Sequence, residues 1–393
     1  MTETPVSIAR RGVSLFALGF RPFFLAAGLS AFFSLILWLA MLRGLLPGNA
    51  YFSGTTWHAH EMLFGYAVAV IAGFLLTATR NWTGMQTPQG AGLAGLVLLW
   101  LGGRLAPFLP IPFSIIAVID LAFLPALALA LFRPLWNGPN PVNRVFIGLM
   151  AAMTVASLLV HLQALGITMD TALAGDKMML DLVILTLLIV SGRIMPFFTQ
   201  GGVSGSNPKT RKWVESLTFG LACLYVIIDP LLRWSPLTGG IVLVLGIVQA
   251  IRFAGWHDRR AWSIPILAVL YAGYLWLVIG LLLSGLSDLG LVAPFPALHA
   301  LTVGAIAVFT QGMMARVALG HTGREMQSSP LTNAAFIVLN AAALIRVFLP
   351  MVLPAHYALW LEISGGLWLL SFGLFLWVYG PILSAPRADG RPG

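Results

Sequence analysis

Long apolar runs return again and again along the 393-residue chain, and its charges are confined to the short gaps between them. About 20 consecutive apolar residues form a helix long enough to cross the hydrocarbon core of a bilayer, where every backbone polar group must be satisfied within the helix itself. The runs fall near 22–42, 59–79, 90–109, 113–132, 143–163 and 178–198, then near 213–232, 236–255, 263–284, 295–318, 331–349 and 357–379. They predict an all-α polytopic membrane protein with twelve transmembrane helices, a single transmembrane domain over 1–393 and no soluble domain. Only 9% of the residues are charged, where a soluble chain carries about 25%. Prolines mark many of the breaks: Pro47, Pro110, Pro134, Pro208, Pro236, Pro294, Pro330 and Pro350, as expected where a helix stops or turns. The third and fourth runs are parted only by PFLPIP, which reads as a tight hairpin.

The net charge of +9 would suggest a nucleic-acid partner if the cations were clustered, but they sit in short loops and report membrane orientation instead. With the N-terminus cytoplasmic, seventeen fall inside: Arg10, Arg11, Arg21, Arg80, Arg133, Arg144, Arg193, Lys209, Arg211, Lys212, Arg252, Arg259, Arg260, Arg316, Arg324, Arg387 and Arg391. Five fall outside: Arg43, Arg104, Lys177, Arg233 and Arg346. Dropping or adding one span would scramble that bias, so both termini are expected in the cytoplasm. The first apolar run is too long for a signal-peptide core and has no clear cleavage site, so it is read as an uncleaved span. The single cysteine, Cys223, rules out a disulfide or a cysteine metal site within one chain.

The stretch Trp57–Gly84, WHAHEMLFGYAVAVIAGFLLTATRNWTG, carries His58, His60 and Glu61 at the head of its apolar run. Ionisable groups at that depth are costly unless paired, which makes them functional candidates. Residues two apart on a helix point to nearly opposite sides, about 200° apart. The two imidazoles therefore suit two separate centres better than one small metal. His299 lies early in the tenth span and His161 closes the fifth, so all four histidines, with Glu61, Asp120, Asp181 and Glu362, fall toward the outer side. Neutral imidazole is a ligand for haem iron, copper and zinc. The plainer alternatives are interfacial histidines bonded to water beside Trp57, a packing histidine at His299, and simple ion pairs of Glu61 or Asp181 with Arg104 or Arg346. Glu61 and Asp181 are also candidates for proton delivery.

A second polar set, Arg80, Arg193, Arg316 and His321, lies toward the inner side with Arg324. Snorkelling and the positive-inside bias explain much of it; an anion site is the alternative. Spans two, six and ten end in related signatures, TATRNWTG, SGRIMPFFTQGG and MMARVALGHTG, a faint period of four spans. The chain has no phosphate-cradling glycine loop and no CxxCH, so any haem would be b-type.

The motifs GFRPFFL (19–25), WHAHEMLFGY (57–66), GFLLTATRNWTG (73–84) and HALTVGAIAVFTQGMMARVALGHTGR (299–324) closely resemble the NnrS family over nearly the whole chain. The resemblance implies a twelve-span bacterial inner-membrane protein that contains haem and copper and serves the response to nitric oxide in denitrification and nitrosative stress. A fold-level analogy to haem-copper oxidases, which group twelve spans in three sets of four, places histidines in corresponding spans two and ten. On this reading one or two b-type haems and copper are held by His58, His60, His161 and His299. One haem would lie between spans two and ten, its propionates facing Arg43, Arg104 or Arg346. Nitric oxide would be bound and reduced to nitrous oxide as in a nitric oxide reductase-like oxidoreductase, with electrons from quinol or a periplasmic carrier. The rival function is a twelve-helix transporter of a small anion using Arg193, Arg316 and histidine-linked protons. A membrane scaffold, indifferent to its histidines, is the third.

Overall fold

A computed structural model describes residues 14–232 and 235–391; Arg10, Arg11 and Arg233 of the charge pattern lie outside them. Among the described residues twelve helices are long and apolar enough to span a membrane. They are α1 (Phe20–Leu42), α2 (Thr55–Thr83), α3 (Gly90–Phe108), α4 (Phe113–Asn137), α5 (Pro141–Ala164) and α6 (Thr171–Gly202). The remaining six are α7 (Lys212–Leu232), α8 (Pro236–Trp256), α9 (Pro265–Asp288), α10 (Pro294–His321), α11 (Pro330–Val352) and α12 (Pro354–Ser384).

The helix starts follow from local chemistry. Pro236, Pro265, Pro294 and Pro330 stand in the first turn, where a missing N–H costs nothing and the fixed φ suits the helix. The Ser235 and Ser329 hydroxyls accept from the backbone N–H groups of Thr238 and Thr332, both at 3.2 Å. Two of the expected breaks behave otherwise: Pro134 and Pro350 are taken into the last turns of α4 and α11. A proline so close to a helix end disturbs few backbone hydrogen bonds, so the helix runs past it by two or three residues. The PFLPIP stretch leaves α3 in a short 3-10 turn and enters α4 at Phe113, a tight connection.

Helices α2, α6 and α10 form the centre. Within the protein, 78% of the apolar window of α2 is buried, against 28% for α1. Helix α6 packs on both α2 and α10, and the Tyr66 hydroxyl of α2 meets Thr310 Oγ1 of α10 at 2.5 Å. Outer helices close around them, with α12 lying against α1. There Trp368 Nε1 donates to the Ala31 carbonyl at 2.8 Å, and the wholly buried Arg21 donates to the carbonyls of Leu383 and Ala385 at 3.0 and 2.7 Å.

Two of the central helices share a register. Helix α2 reads His60, Gly65, Gly73, Thr83, Gly84, and α10 reads His299, Gly304, Gly312, Thr322, Gly323, with identical spacing. In both, the histidine ends an α-helical turn and π-helical turns follow, Glu61–Ala67 and Ala300–Ala307. Such widened turns are rare and recur at functional sites. The glycines are spent the same way: Gly65 and Gly73 face Ser30 and Phe24 of α1, and Gly304 and Gly312 face Trp276 and Val269 of α9. The pairs α1–α2 and α9–α10 are thus two copies of one packing unit.

A methyl group at Gly304 would press into the Trp276 ring, whereas Gly148 on α5 has nothing within 4 Å of that position. Overpacking of this kind costs about 1–3 kcal/mol. Gly304→Ala is therefore expected to lower the thermal unfolding midpoint in detergent, while Gly148→Ala leaves it unchanged or slightly raised.

Candidate metal centre

At the head of α2, three side chains from three helices meet. His60 Nε2 lies 2.9 Å from Asp120 Oδ2, and His161 Nε2 lies 3.0 Å from the same oxygen. The ligand atoms of His60 (α2), Asp120 (α4) and His161 (α5) all fall within 4.8 Å of one another, and all three residues are buried. An ion bonded to nitrogen and oxygen at about 2.1 Å sets neighbouring ligand atoms roughly 3.4 Å apart. The two contacts to Asp120 are shorter than that, at hydrogen-bonding distance, and the whole set stays within 4.8 Å.

The surroundings fix each ring. His60 is sandwiched between Phe52 and Phe64, with centroids 4.2 and 4.7 Å away. The Tyr51 hydroxyl is 2.7 Å from His161 Nδ1. Tyr51 and Phe52 come from the α1–α2 connection, which is pinned over the site by Asn49. Its Oδ1 accepts from the N–H groups of Tyr51 and Phe52 at 2.9 and 2.8 Å, and its Nδ2 donates to the Pro107 carbonyl at 3.1 Å. Burial and the nearby Asp120 carboxylate push the Tyr51 phenol above its ordinary range, so it stays neutral. A neutral phenol can serve His161 in two ways. It donates to Nδ1 when Nε2–H points at Asp120, or accepts from Nδ1–H when Nε2 offers its lone pair to a metal.

Arg104 of α3 closes the cluster. Its Nη1 donates to Glu61 Oε1 at 3.1 Å and stands 3.4 Å from His60 Nδ1, while its Nη2 pairs with Asp120 Oδ1. Two carboxylates against one guanidinium leave a surplus negative charge in an apolar setting, balanced either by a proton on an imidazole or by a bound cation. Close approach is built in: a side chain at Gly103 would collide with the Asp120 carboxylate, and one at Gly65 would crowd Glu61 and Arg104. The widened turn after His60 leaves the Gly65 carbonyl to Trp100, whose Nε1 donates to it at 3.2 Å.

His58 goes to the other side of α2. Its ring stacks on Trp38 of α1 at 4.9 Å and 8°, and its buried Nδ1 has no hydrogen-bond partner. His299 of α10 lies within electrostatic reach of it, and Arg346 of α11 lies within reach of both. His299 Nδ1 donates to the Phe295 carbonyl at 3.0 Å, which leaves the lone pair on Nε2. Arg346 lies over the Phe295 ring at 4.3 Å, and its buried Nη1 has no acceptor among the described residues. Two imidazoles and a spare guanidinium N–H thus share a second place at the same end of the bundle.

The family model described as NnrS protein matches residues 14–387. The chain belongs to the NnrS family. No match to it was found among curated proteins.

In this NnrS chain the remaining candidates scatter. Arg43 pairs with Glu362 at 3.0 Å on an open surface. Asp181 is not at either histidine set; it meets Asp229 and, with Lys177, forms a separate acidic group near the same end. Arg80, Arg193, Arg316 and His321 lie at the opposite end of the central helices. Asp120 and Tyr51 gain roles that spacing did not reveal, whereas the pairing of Glu61 with Arg104 was among the expected alternatives. Asp120 was visible only as a carboxylate at matching depth, and Tyr51 sits in a connection with no motif of its own.

Removing one partner of a buried ion pair costs about 3–5 kcal/mol, and an exposed pair contributes about 0–1 kcal/mol. Arg104→Ala should therefore destabilise the protein strongly in chemical or thermal unfolding in detergent. Arg43→Ala should lie near wild type.

Proposed function

We propose that the chain is a haem- and copper-holding protein of the bacterial inner membrane that binds nitric oxide and turns it over, reducing it to nitrous oxide and so protecting against nitrosative stress. The observation that carries the reading is the convergence of two imidazole Nε2 atoms on one Asp120 oxygen, in a cluster with one carboxylate more than it has guanidinium groups. Two imidazoles and a carboxylate are a donor set that suits copper. On this reading His60, His161 and Asp120 hold the copper, and His58 and His299 hold a haem with Arg346 for a propionate. Bound there, the two groups supply redox metals that accept a small diatomic ligand. Membership of the NnrS family supports nitric oxide as the ligand.

The side chains have definable parts in this scheme. Phe52 and Phe64 hold the His60 ring and keep water from it, which suits an apolar diatomic arriving through lipid. Tyr51 fixes the His161 ring and its tautomer. Reduction takes up protons, and Glu61, in contact with Arg104 and beside His60, is the acid nearest the site. Asp181, with Asp229 and Lys177, would be a separate proton station. Electrons would come from a membrane quinol or a periplasmic carrier.

Absorption spectra and metal analysis of purified protein test the reading. Wild type should show a Soret band and about one copper per chain. His60→Ala and His161→Ala should lose the copper and keep the band; His58→Ala and His299→Ala should lose the band and keep the copper. A wild-type protein with neither haem nor stoichiometric metal sinks the proposal and favours the anion transporter. Glu61→Gln should retain both groups yet consume nitric oxide about 100-fold more slowly at an electrode, the loss typical of a missing general acid.

A further inference from the structure

The three signatures that end α2, α6 and α10 converge. They line a cavity of about 370 Å³ at the end of the bundle opposite the histidines. Four aromatic side chains wall it, Phe74 and Trp82 from α2 and Phe197 and Phe198 from α6, and Arg193 and His321 supply its charge-bearing groups. No carboxylate lines it. Phe197 is 70% exposed and Asn81 is exposed, so the cavity has a mouth at its rim.

The polar groups have capacity to spare. Arg193 Nη1 donates to Asn143 Oδ1 at 2.7 Å, and the guanidinium lies over Trp82 at 5.2 Å and Phe146 at 5.5 Å. Its other N–H groups have no acceptor among the described residues. The His321 ring packs near Phe20, centroids 5.5 Å apart, with no hydrogen bond from either nitrogen among the described residues. Thr77, by contrast, is used up: its hydroxyl donates to the Gly73 carbonyl and accepts from Phe20 N–H. Arg316 stays behind Phe198, its guanidinium 3.9 Å from that ring's centroid, and does not line the space.

We propose that this cavity binds the ring of a membrane-borne quinone or quinol, flat between the aromatic side chains, with its oxygens meeting Arg193 and His321. A small hydrated anion is a poor match, because walls this apolar cannot replace its water shell. An acidic lipid headgroup would need several cationic donors converging on one point, and Arg193 is the one permanently charged side chain among the lining residues. A planar ring with an oxygen at each end suits what the cavity has: apolar aromatic walls and two polar groups carried by different helices, Arg193 on α6 and His321 at the end of α10. The volume falls in the range of small-ligand sites, about 300–1,000 Å³. The proposal concerns binding and stands apart from the metal reading, since none of its residues belongs to the histidine sets.

The test uses full-length protein in detergent, titrated with a short-chain benzoquinone and a naphthoquinone analogue while tryptophan fluorescence quenching is followed. Wild type should show saturable quenching. Arg193→Gln and the cavity-filling Val317→Trp should each weaken it tenfold or more, with thermal midpoints showing that both variants remain folded. His60→Ala, stripped of any metal at that site, should bind like wild type. Trp82→Phe should remove much of the quenching amplitude. Non-saturable quenching, or an affinity indifferent to both Arg193→Gln and Val317→Trp, overturns the proposal. So does displacement of the quinone by phosphatidylglycerol or by nitrate, which would make the occupant an acidic lipid or a small anion.

Discussion

The pairing of Arg104 with Asp120 and Glu61 is the constraint around which the histidine end is arranged. A guanidinium taken out of water without partners is expensive enough that no membrane helix carries one in its buried face unaided. Here α3 brings the cation, α2 and α4 bring the carboxylates, and the three helices are locked in azimuth as a result. Gly103 makes the approach of Asp120 to α3 possible, and Gly65 leaves room on α2. Once those helices are set, His60 has one direction to face, and α5 brings His161 to the far side of the same carboxylate oxygen. The ion pair does not compete with a metal site there. It leaves one negative charge over, which is what a cation site needs.

Much of this was legible in the sequence, and the boundary between what was and was not is physical. Hydropathy counts spans, and the position of a residue along a span gives its depth. So the twelve helices and the shared depth of His58, His60, His161 and His299 follow from the chain alone. Periodicity also separated His58 from His60, because residues two apart on a helix diverge. Depth says nothing about azimuth, however. Whether His161 or His299 meets His60 depends on how α2 turns between α1, α5 and α10, and that turning is set by glycine contacts and by Arg104. Asp120 was one acid among several at the right level, and only the ion pair singles it out. Asp181, at the same level, faces Asp229 and Lys177 instead.

The duplicated register in α2 and α10 sharpens the point. His60 and His299 occupy matching positions, each followed by widened turns and a glycine pressed on the preceding helix. The endings were recognisable in the sequence as related, but the register was harder to see, since most residues between the shared glycines differ. Their surroundings differ as well. His60 meets Asp120 and Arg104, and His299 meets its own backbone carbonyl and the neighbourhood of Arg346. One helical template therefore sits in two different electrostatic settings. What distinguishes them is the second turn of partners: carboxylates supplied by α2 and α4 on one side, a guanidinium without a carboxylate on the other.

That difference sorts ligands by charge. A pocket with surplus carboxylate favours a bare cation, while imidazoles beside an unsatisfied guanidinium favour a group that brings its own anionic arms. The same logic extends to the opposite end of α2, α6 and α10, where Arg193 and His321 stand among aromatic rings with no carboxylate among the lining residues. An apolar space lined by a cation and no carboxylate is stable only if its donors are modestly demanding. Arg193 meets that condition by lying over Trp82 and Phe146 and giving one bond to Asn143. What remains is a donor poised for a neutral oxygen, less hungry than a bare guanidinium and so compatible with a ligand that must come and go.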